Sequence, residues 1–376
     1  MLFPRIDQSL VARWWWTVDR INLFALAILM LCGIILSLSA SPAVALRLHY
    51  GALHFFERHL ASVPVALAIM IGVSLLSPRW IKRIAIYGFI IAMVALALTF
   101  VVGIEIKGSR RWIDLPGLSL QPSEFVKPTF AIVAAWLFSE QKERPEFPGN
   151  LISIGLFVVI VVMLIKQPDL GMTGVIAVVW LAQFFMVGLR LYWAAIGGLG
   201  LMAGVAGAYV WMPHVTTRIN QFLDHGAGAG ADANYQVNRS LEAFASGGLW
   251  GRGPGEGLVK DVLPDAHADF VFAVAGEEFG LIACLFIVAL FAFIVLRGLS
   301  RLVQENNLFV LLGASGLLIQ FGLQAIINMA STVHLIPTKG MTLPFLSYGG
   351  SSMLSLALGM GMVLALTRRR LGGDEL

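Results

Sequence analysis

Charge is what this chain is short of. Only 13% of its 376 residues are Asp, Glu, Lys or Arg, against 58% hydrophobic, and the mean hydropathy is +0.82. That balance excludes an ordinary soluble globular domain and fits an integral membrane protein. Cysteine is scarce as well. Cys32 and Cys284 both sit inside apolar runs and read as packing residues, so no disulfide framework follows from them. No HExxH pair, cysteine-rich metal set or Gly-x-Ser-x-Gly elbow occurs, which leaves out the common zinc-hydrolase and serine-hydrolase signatures. No cleavable leader is evident: the first apolar run is long, lacks a small-residue cleavage site and reads as a span. Nucleic acid is not an expected partner.

What is present is a series of apolar runs of the length needed to cross roughly 30 Å of hydrocarbon as helix. They fall at 21–41, 60–77, 84–103, 124–139, 150–165, 172–189, 192–212, 270–296, 305–328 and 349–367. The expected fold is all-α: a polytopic integral membrane protein of about ten transmembrane helices. It forms one domain over 1–376, with 1–20 and 368–376 on the inner side and a large outer loop, 213–268, between the seventh and eighth spans. Side assignment follows Lys and Arg in short segments and chain ends: Arg5, Arg13, Arg20, Arg79, Lys82, Arg83, Lys142, Arg144, Arg190, Arg297, Arg301, Arg368, Arg369 and Arg370 fall inside. Trp14, Trp15 and Trp16, beside basic residues, suit a membrane interface. The outer basic residues are clustered. Lys107, Arg110, Arg111, Lys127, Lys166, Arg218, Arg239, Arg252, Lys260 and Lys339 lie in or beside Gly/Pro-rich polar segments, and all seven His fall outside too. Such a lining asks for an anionic partner; snorkelling and local ion pairs are the plainer alternative.

The costliest acids lie in Val262-Leu-Pro-Asp-Ala-His-Ala-Asp-Phe270, where Asp265, His267 and Asp269 precede an apolar run that itself carries Glu277 and Glu278. Capping of the next helix is the plain reading of Asp269. Glu277 and Glu278, about two turns deeper, read as structural ion-pairing groups. Three other segments are polar. In Gly108-Ser-Arg-Arg-Trp-Ile-Asp114 and Leu120-Gln-Pro-Ser-Glu-Phe-Val-Lys127, Pro122 is placed to start a helix and Glu124 and Lys127 share a face. They form either a helix-end cap or a pair lining an outward cavity. In Lys166-Gln-Pro-Asp-Leu-Gly171, Asp169 either caps the next helix or orients a basic neighbour. Residues 337–352 are too rich in Pro and Gly for an ordinary span. They read as a re-entrant segment presenting Lys339 and several hydroxyls, Ser351 among them, or as a kinked helix junction. The outer loop is too long for a plain connection: 226–230 is flexible, 234–246 is an amphipathic helix, and 246–257 is a glycine-dense turn system that lacks the pattern of a nucleotide loop.

Taken together, GSRRWIDL…LQPSEFVK, KQPDLG, NYQVNRSLEAFASGGLWGRGPGEG, LPDAHADFVFAVAGEEFG and PTKGMTLPFLSYGGSS resemble the SEDS family of bacterial cell-wall proteins. They run in that family's order from 108 to 352, and WWWTVDR with His54-Phe-Phe-Glu-Arg-His59 is closer to its division branch than to its elongation branch. Asp265 stands where the family has Glu, Ala268 where it has Thr, and Ala330 where it has Gly. The resemblance implies a peptidoglycan glycosyltransferase that polymerises lipid II at the outer face of the cytoplasmic membrane. It implies work at the division septum beside a class B penicillin-binding transpeptidase and other division proteins. It makes Asp269 the general base and Arg111, Lys127 and Lys339 the groups at the pyrophosphate, with Glu124 setting Lys127. Trp112 would pack on sugar or lipid, His267 would orient Asp269, and Ser351 would belong to the substrate-facing hydroxyls. Mg²⁺ or Mn²⁺ would assist, with ligands left unassigned. Two other readings remain: a lipid II flippase, and a scaffold that recruits the transpeptidase.

Overall fold

The structure, a computed structural model, describes residues 9–106, 109–115, 118–188, 191–223 and 231–369. The expectations placed on Arg5, Lys107, Arg190, Arg370, the 226–230 linker and most of the two chain ends lie outside the described residues.

A short helix α1 (Leu10–Thr17) precedes α2 (Arg20–Arg47), α3 (His54–Ser74) and α4 (Pro78–Val102). The strands β1 (Ile104–Ile106), β2 (Ser109–Leu115) and β3 (Leu118–Leu120) follow, and then α5 (Pro122–Glu143), α6 (Gly149–Lys166), α7 (Leu170–Met186) and α8 (Leu191–Trp211). The outer loop holds α9 (Pro213–Leu223) and α10 (Ala231–Gly247); α11 (Val271–Leu302), α12 (Leu308–Thr332) and α13 (Gly350–Leu366) complete the chain. Each expected span falls on one of these helices. Local chemistry sets several starts. The side chains of Asp19, Asp169 and Asn307 accept the N–H groups of Asn22, Met172 and Val310, so each caps its helix. Pro78 and Pro122 sit in first turns, where a missing N–H costs nothing.

Among the described residues, α2, α3, α4, α6, α11 and α12 are long and apolar enough to cross a membrane. Helices α5, α12 and α13 bury most of their length and form the centre. The outer helices turn large apolar side chains outward, among them Phe24, Ile91, Val101, Leu151 and Leu285. A band of that kind is stable only against lipid, and the chain is a multi-pass membrane protein.

Three features depart from the sequence reading. The polar stretch before α5 is a small three-stranded antiparallel sheet in the order β1-β2-β3, a minor element in a fold that is otherwise helical as expected. Helix α9 occupies the start of the outer loop. The eighth span is not one continuous helix: α11 breaks at Gly280, with φ 77° and ψ −176°, a conformation that is essentially glycine's alone. A broken helix inside a membrane must have its freed backbone groups bonded. The glycine-dense turn does this. The N–H groups of Arg252 and Gly253 donate to the carbonyls of Glu277 and Glu278 (both 3.0 Å), and those of Leu281 and Ile282 donate to Gly248 and Leu249 (3.0 and 3.3 Å).

The stretch between α12 and α13 is irregular and re-entrant. A Cβ at Gly33, midway along α2, would lie 2.1 Å from the Phe345 carbonyl oxygen, so this segment reaches the middle of the second helix and requires glycine there.

Candidate active site

The turn ahead of α11 is built on Asp265. Its backbone is left-handed, φ 52°, which Asp tolerates better than most residues. Its carbonyl accepts the N–H groups of Ala268, Asp269 and Phe270 at 3.0, 3.1 and 3.3 Å. The turn delivers Asp269 one residue before the N-cap, which is Phe270. Asp269 therefore stands outside the capping position.

Three consecutive carbonyls of this turn are then gripped from the re-entrant segment and from α12. Tyr348 N–H donates to His267 O at 2.9 Å, the Ser347 hydroxyl donates to Ala268 O, and the Asn328 amide donates to Asp269 O at 2.9 Å. The same amide nitrogen also donates to Met341 O at 2.6 Å. The backbone under Asp269 is thus fixed while its side chain stays half-buried. Asp269 Oδ2 lies 3.2 Å from where a Cβ on Gly340 would stand, so the carboxylate lies directly against the re-entrant segment.

Lys339, the next residue back, reaches the opposite wall. Its Nζ lies 3.2 Å from a Cβ position on Gly171. Burial lowers its ammonium to about 8, Asp169 works against that shift, and Arg218 and Arg111 add to it. Arg111, carried on β2, donates to Gln167 O at 2.9 Å and to Pro168 O at 2.7 Å, and its Nη1 lies 3.4 Å from Asp169 Oδ2. Asp169 caps α7 through its other oxygen, at 3.2 Å from Met172 N, so the two readings of this residue hold together. Lys339 and Arg111, with the charge of Arg218 reaching Lys339, outweigh the one Asp169 carboxylate and make this site positive, and Asp269 lies beside it.

Other expected site residues are placed differently. Glu124 and Lys127 pair at 2.9 Å, as their spacing predicts, but their side chains are only 5% and 1% exposed. Lys127 also donates to Gln324 Oε1 at 2.9 Å. The pair is therefore sealed inside the bundle and does not line an open cavity, because two partners already satisfy the ammonium. The Ser351 hydroxyl donates to Ser119 O at 2.8 Å and accepts Gln121 N–H at 3.0 Å; it fastens α13 to the β3–α5 junction. The His267 ring packs on Phe55 and Tyr348, with centroids at 4.3 and 5.4 Å. Burial pushes its imidazole down to about 4, so it is a neutral wall of the turn. Trp112 is half-buried on β2, opposite Ile104.

Glu277 and Glu278 are structural, and each has a defined task. Glu277 accepts the N–H groups of Leu258, Val259 and Lys260 at 2.7, 2.7 and 2.8 Å. Glu278 pairs with the Lys260 ammonium. Together they clip the outer loop onto the break in α11.

Sequence reasoning missed Gln324 and Asn328. Gln324 joins Lys127 to the re-entrant segment, its amide donating to Thr342 O at 3.1 Å. Asn328 joins that segment to Asp269. The signal was there: Gln320, Gln324 and Asn328 recur every four residues in an apolar run, which puts three amides on one helix face.

Among the described residues no three His, Cys, Asp or Glu converge as a metal cluster. Asp269, one half-buried carboxylate beside a site suited to phosphate, fits the way Mg²⁺ is usually held, by one or two carboxylates together with substrate phosphates.

The sequence profile of the cell cycle protein family FtsW, RodA and SpoVE matches residues 20–371. The chain belongs to this family. Among its FtsW members, a probable peptidoglycan glycosyltransferase of Caulobacter vibrioides is 42% identical, covering 98% of this chain and 94% of that protein. Its counterpart in Coxiella burnetii is 35% identical over 93% and 96%. The rod shape determining protein RodA of Thermus thermophilus, solved by crystallography, is 25% identical and matches with a TM-score of 0.69 over 94% of this chain and 97% of that one. A chain of a peptidoglycan synthase complex that coordinates polymerization and crosslinking has the same fold, with a TM-score of 0.76 over 93% and 97%. The broken helix, the re-entrant segment and the clamped turn described above are thus features of a family member.

Proposed function

We propose that this chain is a peptidoglycan glycosyltransferase that polymerises lipid II at the outer face of the cytoplasmic membrane during septal wall synthesis. The observation that carries the reading is the pairing of one clamped, half-buried carboxylate, Asp269, with a positive site built on Lys339 and Arg111. The names of its FtsW relatives support it. A polymerase outside the cell has no nucleotide sugar, so its donor must bring its own leaving group, and polyprenyl pyrophosphate meets that need.

In this mechanism Asp269 takes the proton of the acceptor sugar's 4-hydroxyl. The freed oxygen forms the new glycosidic bond to the donor's anomeric carbon as the bond to pyrophosphate breaks, and the lipid pyrophosphate leaves with the electron pair. Attack opposite the leaving group inverts the configuration. Lys339, with Arg111 and Arg218 behind it, stabilises the charge that grows on the pyrophosphate. A divalent cation held by Asp269 and the pyrophosphate oxygens would neutralise further charge there. Lys127 with Glu124 acts from the buried layer, holding Gln324 and through it the re-entrant segment. A class B penicillin-binding protein is the partner that crosslinks the product, together with other division proteins.

The test uses the purified chain, its penicillin-binding partner and labelled lipid II with Mg²⁺ or Mn²⁺. Glycan polymer is expected, and its loss in EDTA would establish the need for a metal. Movement of lipid II across a bilayer with no polymer from the wild-type pair would establish a flippase instead.

A further inference from the structure

At the end of α11 opposite Asp269 lies a second charged cluster that the polymerisation reaction does not use. Asp19, 1% exposed, is held by Arg297 through Nε and Nη2 at 3.0–3.2 Å and by Arg301 Nε at 2.8 Å. Both arginines keep part of their side chains open, 27% and 22%. Arg369 is exposed, its backbone N–H is fixed to Thr17 O at 3.0 Å, and its charge reaches Arg301 along with that of Arg297. Arg297 and Arg301 therefore share the Asp19 carboxylate and Arg369 adds a third positive charge close to Arg301, which among the described residues leaves a surplus of positive charge here.

The surroundings place this surplus at headgroup depth. Helix α1 runs just ahead of Asp19 and is pinned to the end of α3 by Trp14 Nε1 donating to Ser74 Oγ at 2.9 Å. Arg20 lies over the rings of Trp15 and Trp16, 5.5 and 5.0 Å from their centroids. Trp rings beside basic side chains mark the membrane–water boundary. On the two helices that meet here, the next residues toward the bundle centre are apolar and exposed: Ile21 and Phe24 on α2, Leu296 and Phe293 on α11. A charged rim above an apolar wall matches a molecule with an anionic head and hydrocarbon tails.

We propose that Arg297, Arg301 and Arg369 form a binding site for the phosphodiester headgroup of an anionic phospholipid in the leaflet opposite the polymerisation site. The acyl chains would lie along α2 and α11. Basic pockets between transmembrane helices on the inner side take such headgroups. Asp19 sets the geometry, holding two guanidiniums in place without cancelling the net charge. The site is independent of the polymerase reading and stands or falls by its own measurement.

The experiment is native mass spectrometry of the full-length chain in detergent with equimolar phosphatidylglycerol and phosphatidylcholine. One phosphatidylglycerol should be retained in preference. Arg369→Gln, an exposed change that leaves the Asp19 pairs intact, should weaken that retention about fivefold. Asp19→Asn should strengthen retention while lowering the melting temperature, because it frees positive charge and removes a buried pairing. Equal retention of the two lipids, unchanged retention in Arg369→Gln, or displacement by millimolar inorganic phosphate would overturn the proposal. So would an Asp19→Asn protein that loses stability with no change in lipid retention, since that would make the cluster a structural clasp alone.

Discussion

Lys339 gives the candidate site a pH signature. Burial brings its ammonium to about 8, so in the free protein it is charged below that value and neutral above it. Only the charged form attracts pyrophosphate. The KM for lipid II should therefore rise as pH increases through about 8, and Lys339→Arg, which stays charged, should flatten that rise. An unchanged profile in Lys339→Arg would remove Lys339 from the anion site. The buried pair below it predicts a different effect. Lys127→Met strands Glu124 in the bundle without its cation, and breaking a buried pair from one side costs about 3–5 kcal/mol. The thermal midpoint should fall, and Lys127→Met combined with Glu124→Gln should recover part of the loss. Recovery would place the pair in the fold, whereas a midpoint equal to wild type in Lys127→Met alone would contradict its burial. The spacing of these two residues made their pairing legible in the sequence. It could not show that the pair is sealed, because the seal comes from α12, nearly two hundred residues along the chain, through Gln324.

At the scale of elements, local rules worked where the cause was local. Pro122 starts α5 and Asp169 caps α7 because first-turn chemistry involves only neighbours in sequence. The break in α11 was illegible for the opposite reason. Gly280 in an apolar run reads as ordinary helix, and the turn that repairs the break lies about thirty residues earlier. Gly280→Ala should destabilise the protein by more than about 2 kcal/mol, since the backbone is in a glycine-only region and the new Cβ would meet Gly251 N at 2.4 Å. Thermal melts would show it, and a wild-type midpoint would argue for a continuous helix. Glu277→Gln leaves an acceptor for some of the 258–260 amides but not all, and loss of a charge-assisted bond of this kind costs about 1–3 kcal/mol. Faster hydrogen exchange confined to 258–260 is the expected result. Unchanged exchange there would mean that Glu277 does not hold the loop.

At the scale of the whole molecule, hydropathy gave the helices almost completely, because lipid imposes one length and one composition on every span. The small sheet escaped notice, since its strands are short and β2, which carries Arg111 to the site, is mostly polar. What joins these parts is the way distant segments close on Asp269: the turn ahead of α11 presents it, α12 and the re-entrant segment grip its backbone, and Arg111 of β2, anchored on the α6–α7 turn, joins Lys339 in the positive wall. In the proposed function this convergence makes one carboxylate the base of a polymerase, and glycan synthesis by Asp269→Asn in complex with the penicillin-binding partner measures it directly. Removing a general base lowers the rate by about a hundredfold or more. A loss of that size is expected, with folding and lipid II binding kept at wild-type levels. Polymer formed within a few-fold of the wild-type rate would contradict it.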